Sequence, residues 1–130
     1  YESFGYKIVS SGHRFDLNFL SRQRSIIELA DFTISNSVGT HVGYCIYLNK
    51  PHYIYRQEIK YNAHNEKLKK HFDAVRTKEN WDTLNEELEE LYEIFCNEKV
   101  EITEIQRKVV DKYWGISYLR SPEELRSLLN

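Results

Sequence analysis

Apolar and polar positions follow two regimes along this chain, a strand-like one up to residue 56 and a helical one after it. Tyr6–Val9, Phe32–Ile34 and Tyr53–Tyr55 are short β-prone runs, the first two followed by clusters of turn formers and the last led in by Pro51. Between the first two runs, Phe19, Leu20, Ile26, Ile27 and Leu29 suit a helix packed on a sheet, with Arg22, Gln23 and Glu28 outward. Asp16 is its expected N-cap and Ala30 its approximate end. Between the second and third runs, Val42–Leu48 is an almost wholly apolar helix. Asn49 and Lys50 end it and Pro51 blocks its continuation. Residues 6–56 thus read β-α-β-α-β, which predicts parallel strands joined by right-handed crossovers.

After Arg56 the pattern changes. Residues 57–66 read as a polar connection, and Leu68, Phe72 and Val75 then recur at helical spacing. Trp81, Leu84, Leu88, Leu91 and Phe95 form the narrow apolar seam of a longer helix, opposite the acidic Glu86, Glu87, Glu89, Glu90 and Glu93. Thr103 and Gln106 predict a capping box for a helix bearing Ile105, Val109, Val110, Tyr113 and Trp114, stopped by Gly115. Ser121, Pro122 and Glu124 open a last helix with Leu125, Leu128 and Leu129. The expected fold class is therefore α/β: a β-α-β-α-β unit over 1–56 and a helical extension over 57–130, packed together as one domain.

At 130 residues the chain has room for one real core. A net charge of −2 supplies no basic field to hold a polyanion, which argues against a general nucleic-acid binder. No apolar run approaches the ~20 residues that span a bilayer, and no secretory signal opens the chain. The two cysteines, Cys45 and Cys96, read as reduced core thiols of a cytosolic protein. Because it begins at Tyr1 without an initiator Met, the chain is expected to be a piece of a longer one. His64, His71 and Asp73 read as exposed polar residues, since HExxH and CxxC spacings are absent, and neither metal nor cofactor is expected. Lys67, Lys69, Lys70, Arg76 and Lys78 read as solvated charge, with a peripheral lean on anionic lipid as the alternative.

The candidate chemistry lies in the turn between the second run and the apolar helix. Ser35, Asn36, Ser37, Gly39, Thr40 and His41 would stand at the carboxyl edge of a parallel sheet, where open α/β sheets bind ligands. Small hydroxyls, a glycine and the unpaired amides of a helix start can surround a diphosphate. The same residues can equally be a polar βα turn that only caps its helix. The turn matches neither GxGxxG nor the P-loop pattern. His13 and Arg14, one loop away, and Arg56, after the last strand, are the cations that can face the same edge.

The run ADFTISNSVGTHVGYCIYLNKPHYIYR, Ala30 to Arg56, resembles the carboxyl-terminal half of GT-B-fold glycosyltransferases and the related nucleotide-sugar 2-epimerases. There, an Ala-Asp strand enters a Ser/Gly turn, a helix, an LGKP segment and a strand ending in Arg. The matching pieces here are Ala30-Asp31, Ser35 to Gly39, Leu48-Asn49-Lys50-Pro51 and Arg56. Ser10 to Asp16 is similar to the loop near the nucleotide in such enzymes. Lys112-Tyr113-Trp114-Gly115 and Ser121-Pro122-Glu123-Glu124-Leu125 resemble the tail of bacterial capsule and surface-polysaccharide proteins. The resemblance implies a Rossmann-like donor-binding unit, with the diphosphate of a nucleotide sugar on Ser37, Gly39 and Thr40 and no obligatory metal. It also implies a glycan or lipid-linked acceptor held by an amino-terminal lobe, and a cytoplasmic place peripheral to the inner membrane. One departure matters: Val42, Gly43 and Tyr44 stand where many members carry ribose- or sugar-binding Glu residues. An epimerase is thereby disfavoured and a different nucleotide, such as a cytidylate, admitted. The contrasting expectation is a non-catalytic α/β interaction domain whose helical half binds a protein partner.

Overall fold

The computed structural model describes residues 2–57, 65–67, 70, 78–98 and 101–129. The expected α/β class is what it has: two strands, β1 (Thr33–Ser35) and β2 (His52–Ile54), and five helices among the described residues. The helices are α1 (Phe19–Glu28), α2 (Thr40–Tyr47), α3 (Lys78–Phe95), α4 (Glu104–Trp114) and α5 (Pro122–Leu129), with single 3₁₀ turns at Glu2–Phe4 and Ile116–Tyr118. β1 and β2 pair in parallel, Thr33 opposite His52, Ile34 opposite Tyr53 and Ser35 opposite Ile54. The apolar helix between them is the crossover that a parallel pair requires.

Two local signals explain the sharpness of that crossover. Asn49 adopts a left-handed φ of 56°, the Lys50 amide donates to the Cys45 carbonyl at 2.8 Å, and the Asn49 amide donates to Ile46 at 3.1 Å. This is a Schellman close with Asn at the left-handed position, and it returns the chain directly into β2. Lys50 Nζ then donates to the Ala30 carbonyl at 2.7 Å, tying the end of α2 to the approach of β1.

The core lies on one face of this pair. Val42 and Ile46 of α2, Ile54 of β2, Leu91 and Phe95 of α3, and Val109 and Val110 of α4 bury together. The seam expected on the long helix is thus core at Leu91 and Phe95. The acidic face opposite it is not uniformly solvated. Glu89 pairs with Arg56, and Glu90 accepts from Lys112 Nζ at 2.6 Å and from the Tyr113 hydroxyl, joining α3 to α4. Both predicted capping boxes form. Thr103 Oγ1 accepts from the Gln106 amide while Gln106 returns a bond to the Thr103 amide, and Ser121 and Glu124 do the same for α5.

Three expectations need correcting. Tyr6–Val9 is not a strand: Tyr6, Ile8 and Val9 stay exposed, and a β-prone run that buries no face gains little by ordering into a sheet. α1 starts at Phe19, not after Asp16, because the Asp16 carboxylate accepts from the Asn18 amide and holds a separate turn ahead of the helix. Of its apolar residues only Ile27 is buried, while Leu20 and Leu29 are exposed, so α1 packs lightly. Cys45 is a buried free thiol as expected, but Cys96 is only half-buried. Leu68, Phe72, Val75, His64, His71, Lys69 and Arg76 fall outside the described residues, as does most of the expected connection.

Candidate functional site

β1 leaves the sheet at Ser35 and α2 begins at Thr40, so the Ser35–Gly39 bend stands at the carboxyl edge of the parallel pair. Gly39, the N-cap of α2, is extended (φ −171°, ψ 178°) and provides no side-chain cap. Only the Val42 amide finds a local acceptor, the Gly39 carbonyl at 3.0 Å. The start of α2 therefore keeps the bare amides and partial positive charge of an uncapped helix, in contrast to the closed capping box of α4.

The space beside Gly39 is used by the chain itself. A Cβ there would lie 2.9 Å from both Cε1 and Nδ1 of His41, so the imidazole folds back over the glycine. The absence of a side chain at 39 admits this ring, where the sequence predicted a ligand. The ring's Nε2 is buried without a hydrogen-bond partner, and burial lowers its pKa. A neutral imidazole with an open nitrogen is what stands closest to the bend.

Beside it is a cleft of about 340 Å³, lined by Ser11, Ser35, His41, Cys45 and His52 among others. Behind the cleft, His52 is clamped between two hydroxyls of the neighbouring strand. Its Nδ1 lies 2.8 Å from Thr33 Oγ1 and its Nε2 3.0 Å from Ser35 Oγ, and Ser35 Oγ donates to the Ser37 carbonyl at 2.8 Å. The bend is thus held from within the sheet. Burial first, then the neighbouring His41, pushes the His52 pKa down to about 4, so the ring is neutral at pH 7. His52 and Thr33 were missed by sequence reasoning. The signal was present: in parallel strands TIS and HYI the period-2 alternation puts Thr33, Ser35 and His52 on one face.

The remaining candidates are placed as follows. Ser37 is half-buried and Asn36 and Thr40 are exposed along the same bend. His13 and Arg14 sit in an exposed turn, where His13 Nδ1 accepts from the Phe15 amide and the Arg14 guanidinium lies 4.8 Å from the Phe15 ring. That loop reaches the cleft through Ser11, and neither cation lines it. Arg56 follows the carboxyl end of β2 but is committed elsewhere. Its guanidinium grips Glu89 through two bonds of 2.7 and 2.5 Å and lies 4.6 Å from the Tyr92 ring. Among the described residues no group of three or more His, Cys, Asp or Glu side chains is placed to hold a metal ion, and no helix is long and apolar enough to cross a membrane.

Comparison with protein-family models, with curated proteins and with solved structures returns no match for this chain.

Proposed function

We propose that the chain binds the diphosphate of a nucleotide sugar at the Ser35–His41 bend, as the donor-binding part of a glycosyltransferase in polysaccharide biosynthesis. The observation that carries this reading is the uncapped start of α2, set directly off the carboxyl end of a parallel strand and beside an unpartnered imidazole nitrogen. Ser37, Thr40 and the first-turn amides of α2 are the donors, and His41 Nε2 is a further one when protonated. Their chemistry fits the reaction: as the bond from sugar to phosphate breaks, charge grows on the departing nucleotide, and prearranged N–H donors stabilise it. Arg56, gripped by Glu89, contributes to the shape of the edge and leaves the phosphates to the bend. No metal is required. The acceptor, a glycan or lipid-linked sugar, and the general base come from a further lobe, so this chain by itself transfers nothing.

Calorimetric titration with UDP, GDP, CDP and CMP tests the reading. Weak saturable binding of a diphosphate nucleotide, lost in Thr40→Pro, which also removes an amide of the helix start, supports it. No binding of any of the four overturns it.

A second reading, an interaction domain whose helical half docks a protein, is favoured by α5 alone. None of its residues is buried, and Leu125, Leu128 and Leu129 stand exposed along an amphipathic helix. Self-association at micromolar concentration with no nucleotide binding supports that reading over the first.

A further inference from the structure

The hydrogen bonds around His52 do not balance if every close contact is made at once. Thr33 Oγ1 lies 3.1 Å from the Pro51 carbonyl and 2.8 Å from His52 Nδ1, while Ser35 Oγ lies 2.8 Å from the Ser37 carbonyl and 3.0 Å from His52 Nε2. Four contacts need four protons. Two hydroxyls and a neutral imidazole hold three.

One arrangement gives up only the longest of the four contacts. The Pro51 carbonyl already accepts from the Thr33 amide at 2.9 Å, and its contact with Oγ1 is the longest of the four. Thr33 can therefore turn its proton to Nδ1. The single ring proton then sits on Nε2 and goes to Ser35, and Ser35 gives its own to the Ser37 carbonyl. The opposite tautomer would set Nε2 and the Ser37 carbonyl, which the His41 ring also reaches, in competition for the one Ser35 proton, giving up a contact of 2.8 or 3.0 Å in place of the 3.1 Å one.

We propose that His52 is the positioning residue of the bend, acting as its Nε2–H tautomer in a one-directional relay from Thr33 through His52 and Ser35 to the Ser37 carbonyl. The relay crosses from β1 to β2 and back, so the position of the bend is read from the register of the sheet. His41 and Cys45 of α2 and Phe95 of α3 border the ring, and Asp31 and Glu98 line a neighbouring cleft with it, but among the described residues no carboxylate forms an ion pair with it that would hold a second ring proton. Where the relay is said to serve a nucleotide, it rests on the donor-binding reading above. The device itself is a property of the free protein.

The two are tested separately. Long-range ¹H–¹⁵N spectra of the imidazoles at pH 7.5 read the tautomer without any ligand. The wild type is expected to be Nε2–H at His52. Ser35→Ala removes the acceptor, and Thr33 can then return its proton to Pro51, so His52 is expected to switch to Nδ1–H. Ser35→Thr restores the acceptor and the original tautomer. A merely structural histidine would show no such reversal and rescue. Titration of the same variants with UDP is expected to weaken about tenfold for Ser35→Ala and to recover for Ser35→Thr, the size of one hydrogen bond. A wild-type Nδ1–H tautomer, or an unchanged tautomer in Ser35→Ala, overturns the relay. Correct tautomers with no UDP binding in the wild type leave the relay standing and overturn the donor reading.

Discussion

Replacing Gly43 by Ala tests the packing that fixes α2, and with it the bend. Gly43 is buried in the middle of α2 against the indole of Trp114, the last residue of α4. A Cβ there would meet Trp114 Cγ at 2.9 Å, Cδ2 at 3.0 Å and Cδ1 at 3.1 Å. Ordinary contact begins near 3.5 Å, so the ring or the helix has to give by about half an ångström. Overpacking of this kind costs roughly 1–3 kcal/mol. Against that, Ala is favoured over Gly inside a helix by about 1 kcal/mol. The two effects oppose, and the larger is the clash, because the obstacle is a rigid ring held between two helices. A net loss of about 1 kcal/mol follows, near 4 °C in Tm for a domain of this size. Urea denaturation followed by circular dichroism at 222 nm measures it. The double variant Gly43→Ala, Trp114→Leu isolates the contact, since the new methyl then has room, and the two changes are expected to couple favourably by about 1 kcal/mol. A Gly43→Ala protein as stable as the wild type, or more so, would refute the close approach of α2 to α4.

Other consequences can be measured with less effort. The His52 pKa is held near 4 in the folded chain against 6.5 ordinarily, so protons bind the unfolded chain more tightly in that range. Stability is then full above about pH 6.5 and falls by about 3 kcal/mol through His52 as pH drops toward 4; a flat profile in a urea series would contradict it, and His52→Gln is expected to make it shallower, leaving the smaller slope of His41. Glu89 and Glu90, held below the usual carboxylate range by Arg56 and by Lys112 respectively, lose their contributions only at lower pH. Cys45 is buried and its pKa raised by that burial, whereas Cys96 is half-exposed, so a thiol reagent is expected to modify one site quickly and the other only as fast as the protein opens. Equal rates would contradict that. Thr103→Ala removes the cap of α4 and is expected to cost about 1 kcal/mol in the same denaturation assay, and an unchanged midpoint would contradict the capping box.

Much of the fold was legible because the responsible signals are local. The capping residues Thr103, Gln106, Ser121 and Glu124, the stop at Gly115 and the break at Pro51 act within a turn of where they stand, and each does what the sequence predicted. The two strands were legible for a related reason, since a helical connection goes with parallel pairing, although each lies one residue from the expected Phe32–Ile34 and Tyr53–Tyr55, at Thr33–Ser35 and His52–Ile54. What failed depended on partners distant in the chain. Tyr6–Val9 has the composition of a strand but buries no face, and Leu20 and Leu29 have helical spacing but meet little across from them. The bend was legible as a place and not as an arrangement. Its residue types announced a polar turn at a sheet edge, yet the closure of Gly39 by His41 and the clamp on His52 arise only once β1 and β2 are in register. Arg56 illustrates the same limit: its partner Glu89 lies on a helix that the sequence placed in a separate extension.

The central claim, that the bend before α2 receives a diphosphate, is tested most directly by following the backbone amides of the ¹⁵N-labelled chain during titration with UDP. Saturable shifts confined to Ser37, Gly39, Thr40, His41 and Val42 are expected, with smaller ones at Ser35 and His52. Shifts that avoid these residues, or none up to a saturating excess of nucleotide, would contradict it.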